Sequence, residues 1–197
     1  MYKKQLRFQK AACLLAVIAA AVQFVYSLGI ITDIYDSLYS TMRNPNDLTQ
    51  TSVPGSIIYY DMQDFNRLLL YFGIGLILLA CLLYLTNTHS RRKYYVGNYT
   101  ATALYSVATL AVTVWSHIQI SGFKVQFLTT VDFEALKAYS EMWKTPYIDS
   151  TFWLDLHYAV AALSVLAVVA IAGNAFWKRA MMRGEEKLLA RKEGTAV

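Results

Sequence analysis

The stretch FWLDLHYAVAALSVLAVVAIAGNAFW, residues 152–177, decides the fold. A bilayer core about 30 Å thick needs roughly 20 predominantly apolar residues in one helix, and this run supplies them with Asp155 and His157 near its start. Three further stretches share its character: about residues 11–31, where Gln23 and Ser27 are the clearly polar side chains, the Leu-rich 68–85, and the longer, more polar 96–120. An unpaired backbone group in lipid costs several kcal/mol, so each span is expected to be a helix, and an open sheet is excluded. The expected fold class is therefore all-α: a polytopic membrane protein, a four-transmembrane-helix bundle forming one membrane domain over 1–197. Outer loops at 32–67 and 121–151 and a tail at 178–197 complete it, with a small extracytoplasmic cap containing a short amphipathic helix.

Composition agrees. Of 197 residues, 56% are hydrophobic and only 16% charged, whereas soluble domains are about a quarter charged. Disorder needs low hydrophobicity and is excluded. The net charge of +5 does not indicate nucleic-acid binding, because the basic residues cluster beside apolar runs, as membrane topology places them. Three prolines and two cysteines exclude a Pro-rich linker protein and a disulfide scaffold.

Charge also orients the chain. Lys3, Lys4, Arg7 and Lys10 precede the first span, Arg91, Arg92 and Lys93 lie between the second and third, and Lys178, Arg179, Arg183, Lys187, Arg191 and Lys192 follow the fourth. Most of the 13 acidic residues fall in the other two loops. The positive-inside rule then expects both termini in the cytoplasm and both long loops outside, in a plasma membrane. The first span resembles a signal peptide in its flanks, but its apolar run is long for an h-region and it reads as an uncleaved span. Cys13 and Cys81 lie within spans and read as small buried hydrophobes. Outer loops without cysteine point to a bacterial membrane. The sequon Asn98-Tyr99-Thr100 falls on the cytoplasmic side, beyond the reach of glycosylation.

Both outer loops contain local signals. The first has turn chemistry at Asn44-Pro45-Asn46 and Pro54-Gly55, then Ile57-Ile58-Tyr59-Tyr60, whose weak alternation leaves strand against loop open. Asp61, Asp64 and Arg67 fit an outward extension of the second helix, with Asp64 and Arg67 as i,i+3 neighbours. In the second loop, Asp132 is an expected N-cap with Val131 stapled to Leu136. Phe133, Leu136 and Trp143 recur at helical spacing ahead of Pro146, giving a short outer helix that packs on the first loop, lies on the membrane or faces a partner.

Three groups of side chains could carry function. Thr102, Ser106, Thr109 and Thr113 share one face of the third span, suited to close helix packing or to a hydrated path. Ala12, Ala16, Ala19, Gln23 and Ser27 on the first span, and Ala159, Ala162, Ala170 and Asn174 on the fourth, are comparable faces expected to meet in the seam. His117, Asp155 and His157 fall at similar depth near the outer surface, where polar groups are costly unless paired. The cluster could be structural, with Asp155 held by His117, Arg67 or loop amides. It could instead titrate or bind a cation on a transport path, or ligate a metal or haem through its two imidazoles.

The chain has no H-E-x-x-H, phosphate-binding Gly-rich loop, C-x-x-C or G-x-S-x-G. No catalytic residue, cofactor or metal is therefore expected. Its outline is similar to that of claudins and other tetraspan proteins, but their loop cysteines are missing and no family is assigned. The expected function is a non-catalytic accessory or structural subunit of a larger membrane complex, such as a transporter. Its expected partners are the lipid bilayer and other membrane subunits or further copies of itself. The alternatives are a homo-oligomeric channel or small transporter, and an extracytoplasmic redox or metal-binding protein.

Overall fold

A computed structural model of the chain describes residues 2–42, 51–89 and 96–194. The fold is all-α. Helix α1 spans Tyr2–Gly29, α2 Thr32–Leu38, α3 Ile58–His89, α4 Val96–Thr130, α5 Phe133–Trp143 and α6 Phe152–Gly194, with a 3-10 turn at Tyr39–Thr41 after α2. Among the described residues, four long helices are apolar enough to cross a membrane, which is the pattern of a four-span bundle with a short extra helix. The Asn44-Pro45-Asn46 turn and the Arg91–Lys93 cluster lie outside the described residues.

Helix ends differ from the apolar windows of the sequence. Apolar runs report where lipid is expected, whereas a helix continues until something stops it. At 1.5 Å per residue, the 35 residues of α4 extend about 50 Å, well beyond a hydrocarbon core. Thus α4 continues through residues 121–130, which the sequence assigned to a loop, and α6 passes Gly184 and is helical to Gly194, the last described residue. Helix α3 begins at Ile58, so Ile57–Tyr60 enters a helix rather than a strand. The Asp64–Arg67 pair then forms as expected, at 3.5 Å.

The start of α3 is set by Pro54-Gly55. Gly55 adopts a positive φ of 82°, which glycine enters without steric cost. Its backbone also approaches the end of α4 so closely that a Cβ would stand 2.2 Å from the Thr130 carbonyl oxygen. Asp132 N–H donates to the Pro54 carbonyl at 3.1 Å, fastening the same turn.

The chain divides into two compact units. One, made of Met1–Ala20, Gly75–Ala111 and Leu163–Val197, holds both termini. Its core is built from small side chains, Ala12, Ala16 and Ala19 of α1, Ala80 of α3, Ala101 of α4 and Ala167 of α6. Lipid gives no hydrophobic drive for helix association, so close backbone approach and interhelical hydrogen bonds supply it. Tyr105 of α4 fills the remaining space and donates its hydroxyl to the Ala16 carbonyl at 3.2 Å.

The other unit comprises Ala21–Ile74 and Val112–Ala162. Larger residues form its core, among them Ile30, Leu38, Ile58, Met62, Phe127 and Leu136. Phe65 of α3 packs against Trp115 and Phe123 of α4 at ring separations of 5.1 and 5.4 Å. Helix α5 begins as expected: the Asp132 carboxylate accepts from the Ala135 N–H at 2.9 Å, and Val131 and Leu136 are both buried. It ends at Lys144, whose φ of 54° makes the left-handed turn ahead of Pro146.

Candidate functional site

The polar cluster of His117, Asp155 and His157 is assembled by the length of α4. Because that helix runs on to Thr130, Lys124 sits seven residues beyond His117 on the same face. Its ammonium donates to Asp155 Oδ1 at 2.5 Å, and Thr151 Oγ1 donates to Asp155 Oδ2 at 2.7 Å. Asp155 is therefore paired, but its cation is Lys124 and not His117, Arg67 or a loop amide. The loop reading of residues 121–130 hid this partner, although the seven-residue step from His117 signals it.

His117 and His157 meet as an imidazole pair, His117 Nδ1 to His157 Nε2 at 2.9 Å. His157 is buried and its Nδ1 contacts the Leu154 carbonyl oxygen. A carbonyl can only accept, so His157 Nδ1 carries hydrogen. In the neutral pair, His157 Nε2 must then accept from His117 Nδ1–H. The tautomers of both rings follow from one backbone carbonyl. Tyr158 closes over them, its ring centroid 3.9 Å from that of His157 and 5.7 Å from that of His117. All three residues singled out by the sequence thus lie in one cluster, with Asp155 held by Lys124 beside the imidazoles. Among the described residues, no group of three or more His, Cys, Asp or Glu side chains is placed to hold a metal ion.

Within the hydroxyl stripe of α4, Thr102 is turned to its own helix, as is Ser116 one turn beyond Thr113. Thr102 Oγ1 donates to the Asn98 carbonyl at 2.7 Å, and Ser116 Oγ donates to the Thr113 carbonyl at 3.1 Å. Thr109 is buried, and Ser106 has no hydrogen-bond partner for its hydroxyl. On α1 the expected face, Ala12, Ala16, Ala19, Gln23 and Ser27, is buried throughout. On α6 the face is rotated from the expected one. Ala159 and Ala162 are exposed, while His157, Val160, Ser164, Ala167, Ile171 and Asn174 are buried. Those buried positions advance by alternating steps of three and four residues, the spacing of one helix face. Burying the imidazole of His157 and the amide of Asn174 settles the rotation, whereas alanine is tolerated on either side.

On α5, Leu136 is turned into the core, Phe133 packs against it, and Trp143 is exposed together with Met142. Tyr139, Met142 and Trp143 line a shallow groove of about 570 Å³ with Ala135, Ala138 and Ser52. Tyr139 is anchored by its hydroxyl, which donates to the Ser40 carbonyl at 2.7 Å.

A second polar cluster escaped the sequence reading. Five carboxamides, Gln5, Gln9, Asn87, Asn98 and Asn174, are each at most 5% exposed. They come from all four long helices of the unit that holds the termini. Gln5 Nε2 donates to Asn174 Oδ1 at 2.9 Å and to Gln9 Oε1 at 3.1 Å, and Gln9 Nε2 donates to the Asn87 carbonyl. The Asn98 amide donates to the Thr86 carbonyl at 2.7 Å and accepts from Lys178 Nζ at 3.2 Å. The signal was an i,i+4 spacing of amides, Gln5 and Gln9, inside a basic segment whose lysines and arginine all point outward. Comparisons of the chain with protein-family models, with curated proteins and with solved structures give no match.

Proposed function

We propose that the protein is a non-catalytic integral-membrane subunit of a larger membrane assembly, such as a transporter. It would lie in a bacterial plasma membrane with both termini cytoplasmic. The supporting observation is that the side chains best suited to chemistry are engaged with one another. His157 is held between Leu154 and His117, and Asp155 between Lys124 and Thr151. Such groups act as interhelical ties that fix how α4 and α6 pack. Thr102, whose hydroxyl bonds its own helix, and the buried Thr109 favour packing over a conducting path in the same way.

The test is native purification in mild detergent, with mass spectrometry and the total mass of the particle. A stoichiometric foreign partner supports the subunit reading. A closed homo-oligomer that conducts after reconstitution overturns it in favour of a channel. Membrane orientation is tested separately by the accessibility of single cysteines placed at Ser150 and Ala196 to an impermeant thiol reagent. Only Ser150→Cys should react from outside.

A further inference from the structure

We infer that Lys178 and its surroundings form a binding site for a phosphate anion, carried by an anionic lipid headgroup or free in solution. The inference is independent of the subunit reading and of which leaflet the site faces. Lys178 follows Asn174 on the buried face of α6 and is itself partly buried. A lysine just past an apolar run ordinarily snorkels, with its ammonium in water. Here Nζ turns inward to the Asn98 carboxamide, which is 2% exposed, and lies 6.0 Å from the Tyr99 ring centroid.

Among the described residues, the titratable group beside Lys178 is the Cys13 thiol, which is neutral as a thiol. The neighbouring Asn98 is neutral, as are Gln5, Gln9, Asn87 and Asn174, and these amides bond one another or backbone carbonyls. Among the described residues, no carboxylate forms an ion pair with Lys178. Exposed Arg179, adjacent in sequence, and Arg183, five residues further along α6, add charge of the same sign. A partly desolvated cation without a counter-charge is costly, and an ammonium has three N–H donors, of which Asn98 takes one. The remaining donors suit an oxygen-rich anion.

The position selects phosphate. Trp177, adjacent in sequence, packs with Phe8 of α1 at 5.8 Å, and such aromatic residues beside a basic cluster mark headgroup level. Phosphate is the anion concentrated there, and basic pockets between spanning helices are its usual receptors.

The experiment measures melting of the purified full chain in neutral detergent. Additions are phosphatidylglycerol, phosphatidylcholine or inorganic phosphate, compared across wild type, Lys178→Met, Lys178→Gln and Arg183→Met. Phosphatidylglycerol should raise the wild-type melting temperature by about 4 °C more than phosphatidylcholine. The difference should vanish in both Lys178 variants and persist in Arg183→Met. An equal rise with millimolar inorganic phosphate, again lost in the Lys178 variants, would assign the site to free phosphate. A rise retained by both Lys178 variants, equal losses in Arg183→Met and the Lys178 variants, or no rise with either phosphate source would overturn the inference. Should both Lys178 variants fail to fold, native mass spectrometry of wild type decides. Retained phosphatidylglycerol or phosphate in excess over phosphatidylcholine supports the site, and no excess overturns it.

Discussion

His117 Nδ1 lies 2.9 Å from His157 Nε2, so one proton serves two imidazoles. With His157 Nδ1–H committed to Leu154, the bond to His117 fixes both tautomers. His157→Leu removes both contacts and leaves the His117 Nδ1–H without its acceptor, so it should lower the melting temperature of the purified chain. A His157→Leu protein that melts with wild type would show that the imidazole pair does not tie α4 to α6.

Lys124 and Asp155 should behave as a coupled pair. Their side chains are 30% and 42% exposed, so salt will screen the interaction in part. Lys124→Met and Asp155→Asn should each lower the melting temperature, and the double variant should lose less than the two singles combined. Raising ionic strength should shrink the wild-type advantage. Strict additivity would mean that the two groups do not support each other.

The sequence predicts the four spans, the outward extension of α3 and the N-cap of α5, because these depend on local patterns that carry their own physical cause. Apolar length, a capping residue and an i,i+3 pair can each be read without knowing the neighbours. The partner of Asp155 could not be read in the same way, since it depended on where α4 stops. A hydropathy window is silent about a helix that continues past lipid. The rotation of α6 was obscured by its many alanines, which permit several faces, and it is set by His157 and Asn174 through contacts distant in sequence. Gln5 and Gln9 were overlooked because amides in a basic flank look like ordinary solvated residues until their partners on α3 and α6 are known.

Two substitutions test the turn at Pro54-Gly55 and the cap of α5. Gly55→Ala would force a side chain into the left-handed region and onto the Thr130 carbonyl, so it should cost about 2 kcal/mol or more. Asp132→Ala removes only the cap on Ala135 and should cost about 1 kcal/mol. Chemical denaturation in detergent measures both, and a Gly55→Ala protein as stable as wild type would contradict the close approach.

The amide network makes the sharpest demand on energetics. Asn174 is 4% exposed and its Oδ1 accepts from Gln5, so Asn174→Leu strands a buried donor on Gln5 while adding apolar surface. Interhelical hydrogen bonds in membranes are individually modest, but an unsatisfied buried amide carries its full desolvation cost. The single variant should therefore lose about 1–2 kcal/mol. Gln5→Leu should lose a similar amount, because it removes the donor from both Asn174 and Gln9. The double variant Gln5→Leu/Asn174→Leu leaves neither member of that bond and places two apolar side chains in contact. It should recover part of the loss, with a coupling of about 0.5 kcal/mol or more. Independent losses of equal size would show that the two amides are satisfied separately. Full recovery to wild-type stability would mean that the network contributes specificity of packing rather than net stability, a distinction that the number of resolved side-chain conformations by NMR would then decide.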